Sequence, residues 1–239
     1  MIDAAPASQF QNELARIRAA YERRKREVAP DRYSDANPRA AIFQRELEQR
    51  VVKLLSVKSA EPLAAQRVLD VGCGEVRWLR RLIQWGASPE NLTGVDLLPE
   101  RIAAAREASP SAVRLHCCSA DQMPIEKGSF DIVLCMNVFS SILAGGLRAA
   151  IAEEMRRVLR PRGFMLWYDF FLNNPTNPDV RGTGKPEIER LFSGCKIELA
   201  RITVAAPLGR AIAPLPYVYA ALATCRIFST HYLGRISKP

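Results

Sequence analysis

The sequence has no Cys-x-x-Cys pair, only two histidines and no run near the roughly 20 apolar residues needed to cross a bilayer. Its six cysteines (Cys73, Cys117, Cys118, Cys135, Cys195, Cys225) are scattered, which argues against a structural zinc or a disulfide framework. They read as reduced thiols of a cytoplasmic protein. With His116 and His231 alone and no carboxylate cluster at ligand spacing, no metal is expected. Met1–Phe10 has neither the basic nor the apolar region of a secretory signal. Basic residues interleaved with stacking aromatics are missing too, so a nucleic-acid partner is not expected.

What is present is an ordinary globular balance, 48% hydrophobic and 25% charged, over 239 residues, enough for one domain with an appendage. The net charge of +9 is unevenly placed: +3 over residues 1–53, +1 over 54–160 and +5 over 161–239. Only Arg23-Arg24-Lys25-Arg26 forms a run, within a helical pattern. Such a diffuse basic surface suits anionic small molecules or an acidic membrane face, and allows peripheral membrane contact.

Apolar periodicity predicts two leading helices, over residues 8–29 and to about Leu55. From Arg67 short apolar runs alternate with helical patterns. Strands are expected at Arg67–Val71, Leu92–Asp96, Val113–Cys117, Phe130–Met136, Phe164–Asp169, Lys196–Val204 and Thr230–Ile236. Helices are expected at Glu75–Trp85, Pro99–Ala108, Gly146–Leu159 and around Pro186–Phe192. This rhythm predicts an α/β fold with a mostly parallel sheet covered on both faces. Residues 1–58 then read as a helical cap or lid and 59–239 as the main domain. Ala211–Cys225 carries no formal charge and reads as core or as an apolar wall, with Tyr219 its chief aromatic.

The most specific stretch is Val68-Leu69-Asp70-Val71-Gly72-Cys73-Gly74, a strand turning into a helix, with Asp96 closing the next strand. Two glycines at such a corner let the backbone approach a ligand, and Asp96 is placed to accept ribose hydroxyls. The dinucleotide fingerprint needs a third glycine where Arg77 stands, so that reading fails. Further blocks follow: Gly94-Val95-Asp96, Ser119–Pro124, Ser129–Val133 and Leu159–Gly163.

With these five blocks, residues 67–170 resemble class I S-adenosylmethionine-dependent methyltransferases of the small-molecule kind. The resemblance implies a Rossmann-like, doubly wound, mostly parallel seven-stranded sheet and S-adenosylmethionine as cofactor. It implies that Asp70, Gly72, Cys73 and Gly74 hold the methionine portion, and that Asp96 holds the ribose. Leu97 would lie against the adenine, Ser119, Ala120 and Asp121 at its edge, and Cys135 to Asn137 beside the sulfonium. Three positions depart from the family pattern: Val76 replaces a loop glycine, Ser119 an acidic residue and Arg162 a turn glycine. Val76 would widen the turn into the helix.

The implied activity is methyl transfer to a small-molecule acceptor, anionic, glycosylated or lipid-linked. O-methylation of a metabolite or saccharide comes first, since Leu166–Asp169 and Asn173–Gly182 loosely resemble methyltransferases of polysaccharide pathways. C- or N-methylation of a prenyl, quinone or lipid precursor is the alternative, and a non-catalytic cofactor-binding module the third. Asp169, Tyr168 and His231 are the candidate bases, while Tyr21, Tyr33 and Arg23–Arg26 are candidates to reach over the site. Met136-Asn137-Val138-Phe139 lacks the Asn/Asp-Pro-Pro-aromatic run of base-amino methylation.

Overall fold

A computed structural model describes residues 5–27, 38–56, 61–174, 177–205 and 216–239. Tyr33, residues 211–215 and the side chain of Tyr219 lie outside the described residues. Helices α1 (Ala5–Glu27) and α2 (Pro38–Ser56) lead into β1 (Val68–Val71), α3 (Arg77–Gln84), β2 (Leu92–Asp96), α4 (Pro99–Ala108) and β3 (Arg114–Cys117). Next come β4 (Phe130–Met136), α5 (Gly145–Val158), β5 (Leu159–Phe170), α6 (Lys185–Leu191), β6 (Lys196–Val204), α7 (Pro216–Cys225) and β7 (Ser229–Ser237).

The seven strands form one sheet in the order β3-β2-β1-β4-β5-β7-β6. All pairings are parallel except those of β7, which inserts antiparallel between β5 and β6. β1 and β2 are buried at every position because helices cover both faces of the sheet. Strand order reverses between β1 and β4, the chain running outward through β2 and β3 on one side and through β4 and β5 on the other, and that is the switch point where such sheets open a crevice. Register decides what emerges there. Val71 pairs with Val95 on one side and Cys135 on the other, so the loops after β1, β2 and β4 leave the sheet at one level.

Side chains alternate between two core layers, as the strand period of two demands. Along β5, Trp167 enters the layer under α5 and α6, where it packs 4.7 Å from Phe139 and 5.8 Å from Phe192. Leu166 and Tyr168 enter the layer under α3 and α4. The two N-terminal helices divide between these layers. Leu14 and Ile17 of α1 join the first, Val51 and Leu55 of α2 the second. Glu48 of α2 also holds Arg81 and Arg77 of α3, at 2.8 and 3.2 Å.

Val76 does not widen its turn. It takes the left-handed conformation itself (φ 55°, ψ 31°) at the N-cap of α3, with its side chain wholly buried. Arg162, another of the departures, is left-handed too (φ 63°). At both positions the backbone shape that glycine favours is kept at the cost of local strain.

Candidate active site

Gly72 and Cys73 donate their amides to the Val95 carbonyl, at 2.8 and 3.0 Å, drawing the loop after β1 over the end of β2. Asp96 is then clasped from two sides. Its Oδ2 accepts Gly74 N–H and its Oδ1 accepts Leu98 N–H, each at 2.9 Å. The guanidinium of Arg101, one turn into α4, lies 3.9 Å from Asp96 Oδ2 and 4.6 Å over the Tyr21 ring. A carboxylate fixed by main-chain donors keeps lone pairs aimed into the crevice and needs little reorganisation to accept ligand hydroxyls. Gly72 is required sterically. Its φ is +70°, and a Cβ there would sit 2.8 Å from Val138 Cγ2.

Below this corner lies Asp70, 1% exposed, whose Oδ2 has no hydrogen-bond partner. Burial, and then the charge of Asp96, push its carboxyl well above the usual carboxylate range. Cys73 turns its sulfur away from the crevice toward Gly94, where an added Cβ would lie 2.8 Å from Sγ. Gly94 therefore makes room for the Cys73 side chain. The Ser119 hydroxyl is hydrogen-bonded to the Asp121 carboxylate, so these two neighbours satisfy each other.

A cavity of about 80 Å³ lies against these groups. Of the expected cofactor residues, Gly72, Asp96, Leu97, Ser119, Ala120 and Asn137 line it, while Asp70, Cys73, Gly74 and Asp121 stand behind the lining. Cys135 is wholly buried in the core, and Asn137, left-handed at φ 59°, is the part of that segment at the cavity. Its roof is Leu14, Ile17 and Tyr21 of α1, with Tyr21 among the residues expected to reach over the site and Leu14 and Ile17 added by the structure. Their i, i+3, i+7 spacing marks only an apolar stripe, and nothing in it specifies what the stripe covers.

α1 is anchored by polar contacts. Ala144 precedes α5 and has no side chain to cap it, and Glu13 serves instead. Glu13 Oε1 accepts Leu143 N–H at 2.6 Å and Ala144 N–H at 3.3 Å. Burial raises the Glu13 pKa, but the Arg16 hydrogen bond and the Leu143 amide outweigh it, leaving the carboxyl below its ordinary value. Arg16 donates to the Ser141 carbonyl at 2.6 Å, and Tyr21 Oη lies 3.1 Å from Ser141 Oγ. A second cavity of about 610 Å³ begins where Ile17, Tyr21 and Ser141 end the first. It runs between α1 and the connection after β5, past Arg23, Arg24, Phe170, Asn177 and Asp179.

The three candidate bases are not brought to either cavity lining. Asp169 is fully buried, and its oxygens accept Ser140 N–H at 3.0 Å and Phe170 N–H at 2.8 Å. Burial lifts its pKa to about 6, and its work is to pin the turn at Phe139–Ser141. Tyr168 points into the opposite layer, where its hydroxyl meets Thr203 Oγ1 at 3.0 Å. His231 stacks on Tyr168 at 4.6 Å and contacts Phe170, with Nδ1 2.9 Å from Thr230 Oγ1. The alternation of β5 and β7 explains this placement, since neither Tyr168 nor His231 ends its strand on the crevice side.

Burial lowers the His231 pKa from 6.5 to about 3. The unfolded chain therefore binds a proton that the folded one refuses. Stability from this group is present above pH 6.5 and is lost as pH falls toward 3, by about 1.4 kcal/mol per unit. His231→Phe should flatten that part of the acid limb. Urea unfolding at pH 7 and pH 5 measures it, and an unchanged difference between the two pH values would refute the buried, neutral imidazole.

Residues 68–163 match the methyltransferase-domain family. Residues 68–163 are a class I S-adenosylmethionine-dependent methyltransferase domain. An uncharacterized methyltransferase of Mycobacterium tuberculosis is 34% identical to the chain over 102 residues, covering 43% of the chain and 39% of that protein. A malonyl-acyl-carrier-protein O-methyltransferase of Laribacter hongkongensis is 28% identical over 170 residues, covering 66% and 51%. A ubiquinone biosynthesis O-methyltransferase of Xanthomonas oryzae pv. oryzae is 34% identical over 116 residues, covering 47% and 46%. The chain thus spans about half or less of the length of these curated relatives. The solved structure of a Pyrococcus horikoshii protein shares the methyltransferase domain's fold with TM-score 0.63 and 18% identity, over 91% of this chain and 99% of that one. The family's methyl donor is S-adenosylmethionine.

Proposed function

We propose that this chain transfers the methyl group of S-adenosylmethionine to an oxygen of a small anionic acceptor. The observation that carries the cofactor's placement is the Asp70 carboxylate oxygen, buried without a partner beneath the glycine corner. Such an oxygen costs stability unless a donor or cation reaches it, and the cofactor's methionine portion bears both. Asp96 would take the ribose hydroxyls, and the main chain at Gly72 and Gly74 would pass under the methionine. The bound cofactor supplies an activated methyl on a sulfonium, so the protein's share is alignment and exclusion of water.

The names of two relatives support oxygen as the methylated atom. Arg23 and Arg24, beside Glu27 and Asp179 in the larger cavity, are the groups that would receive an anionic acceptor. Asp96 is clasped by the main chain, and Asp179 is held by Arg23 at 2.7 Å and Arg16 at 3.4 Å. An acceptor already deprotonated, such as a carboxylate, needs no base. It would enter the larger cavity beside Arg23 and Arg24 and meet the cofactor at Tyr21 and Ser141, which border both spaces. Leu14, Ile17 and Tyr21 of α1 roof the first cavity, so α1 would serve as a cap over the cofactor. Conversion of labelled S-adenosylmethionine to S-adenosylhomocysteine across a panel of carboxylate, phenol, sugar and amine acceptors tests the reading. Turnover confined to amines would overturn it.

Asp70 gives the binding step a pH signature. Burial raises its pKa, and a cationic ligand alongside would lower it again. Binding should therefore release a proton and tighten as pH rises. Calorimetry in two buffers of different ionisation enthalpy should show proton release, and Asp70→Asn should abolish it. Equal heats in both buffers for the unmodified protein would contradict this role.

A further inference from the structure

Among the described residues six large hydrophobic side chains are exposed, and five belong to one edge of the sheet. They are Leu172 (51%), Tyr217 (90%), Val218 (43%), Ile227 (74%) and Phe228 (44%). Topology explains why they share that edge. β6 runs parallel to β5 and β7 returns against both, so the connection carrying α7 leaves and re-enters the sheet where β5 ends. Two main-chain bonds tie the pieces together there. Phe171 N–H donates to the Thr230 carbonyl at 3.0 Å, and Ala205 N–H to the Phe228 carbonyl at 2.8 Å. This is also the edge onto which the crevice and the larger cavity open, since Phe170 lines that cavity.

The segment that carries α7 and β7 has charge of one sign, whereas Glu27 and Asp179 line the neighbouring cavity beside Arg23 and Arg24. From Leu199 to Pro239 the sequence contains no aspartate or glutamate. Exposed Arg226 directly precedes Ile227, and exposed Arg201 places its guanidinium 5.1 Å over the Phe171 ring. α7 itself, Pro216–Cys225, carries no charge at all. No described helix is long and apolar enough to cross a membrane, so any contact is with a surface. Exposed tyrosine and aliphatic side chains beside arginines, without acids, match an interface that inserts apolar groups among anionic headgroups. A protein partner would be matched by the apolar groups but gives no reason for the missing acids.

We propose that the edge formed by Leu172, Tyr217, Val218, Ile227 and Phe228, with Arg201 and Arg226, docks on an anionic lipid bilayer. Docking there turns the larger cavity toward the lipid, so an acceptor with an apolar tail could be reached without leaving the membrane. Binding is measured without cofactor or acceptor and so stands apart from the reading of methyl transfer. The test is co-sedimentation of the full chain with vesicles of phosphatidylglycerol and phosphatidylcholine in equal parts, and with phosphatidylcholine alone. Binding is expected to the first and not the second, and should weaken as salt rises. Arg226→Glu and the double change Ile227→Ser/Phe228→Ser should each lower it about tenfold or more. These side chains are exposed, so the melting temperature should hold. Failure to bind anionic vesicles, equal binding to both kinds, or binding untouched by both variants would overturn the proposal. So would a concentration-dependent dimer abolished by the variants without vesicle binding, which would assign the edge to a second copy of this chain.

Discussion

Arg148→Met should cost about 3–5 kcal/mol of stability, the loss expected when one partner of a buried, hydrogen-bonded charge network is removed. The Arg148 side chain is wholly buried at the start of α5. Its Nε donates to the Ile142 carbonyl at 2.7 Å, and Nη2 donates to those of Phe139 and Arg181 at 2.9 Å each. Nη1 reaches Glu187 at 3.1 Å and Thr183 Oγ1 at 3.3 Å. One guanidinium thus holds the turn after β4, the start of α6 and the segment before it. Methionine would fill the volume while taking the donor from the buried Ile142 and Arg181 carbonyls; the Phe139 carbonyl would keep Ile142 N–H and Glu187 would keep Arg181. Because Ser141 and Ile142 of that turn line the smaller cavity, where the cofactor is proposed to bind, ligand affinity should fall as well. Arg148→Lys keeps the charge but lacks the planar fork, so it should recover only part of the loss. Urea unfolding gives the measurement, and a cost under about 1 kcal/mol would show the network to be dispensable.

Gly72→Val should cut cofactor affinity by about 30-fold or more, which corresponds to about 2 kcal/mol. Two penalties meet at this residue. A β-branched side chain is strained at φ +70°, and its Cβ would sit 2.8 Å from Val138 Cγ2. Relief would come by moving the corner or Val138, and both border the ligand's path. Gly72→Ala should show the same effect, smaller, because alanine tolerates the left-handed region better than valine. Titration calorimetry with S-adenosylhomocysteine, alongside melting curves, separates lost binding from lost folding. A folded Gly72→Val protein with unchanged affinity would place the ligand elsewhere.

Strand and helix identity was legible where the pattern was long and local. The bounds expected for β2, α4, β4 and β6 match those observed, because apolar runs and Pro99 at a helix start are local signals. α7 was not legible. Ala211–Cys225 read only as an uncharged apolar segment, whereas Pro216 is the first residue of a helix, where its missing N–H costs nothing. At the site, Asp96, Gly72 and the loop after β4 follow from the order of motifs, since a parallel sheet delivers all strand ends to one edge. Asp169 did not follow, because its position at a strand end says nothing of the backbone amides that close over it. Arg148 looked like any charged residue on an amphipathic helix. Only the tertiary arrangement of Phe139–Ile142 and Arg181 shows it to be a buried hub. Glu13 is the same case, being 130 residues from the amide it caps.

Calorimetric titration of the purified chain with S-adenosylmethionine, repeated with Asp96→Ala, tests most directly whether the cofactor sits at the end of β2. The account predicts one site on the unmodified protein. It also predicts a loss of about 1.5–3 kcal/mol in the variant, as hydrogen bonds from ligand hydroxyls to a charged acceptor are removed. Equal affinity in a folded Asp96→Ala protein, or no binding by the unmodified chain, would contradict it.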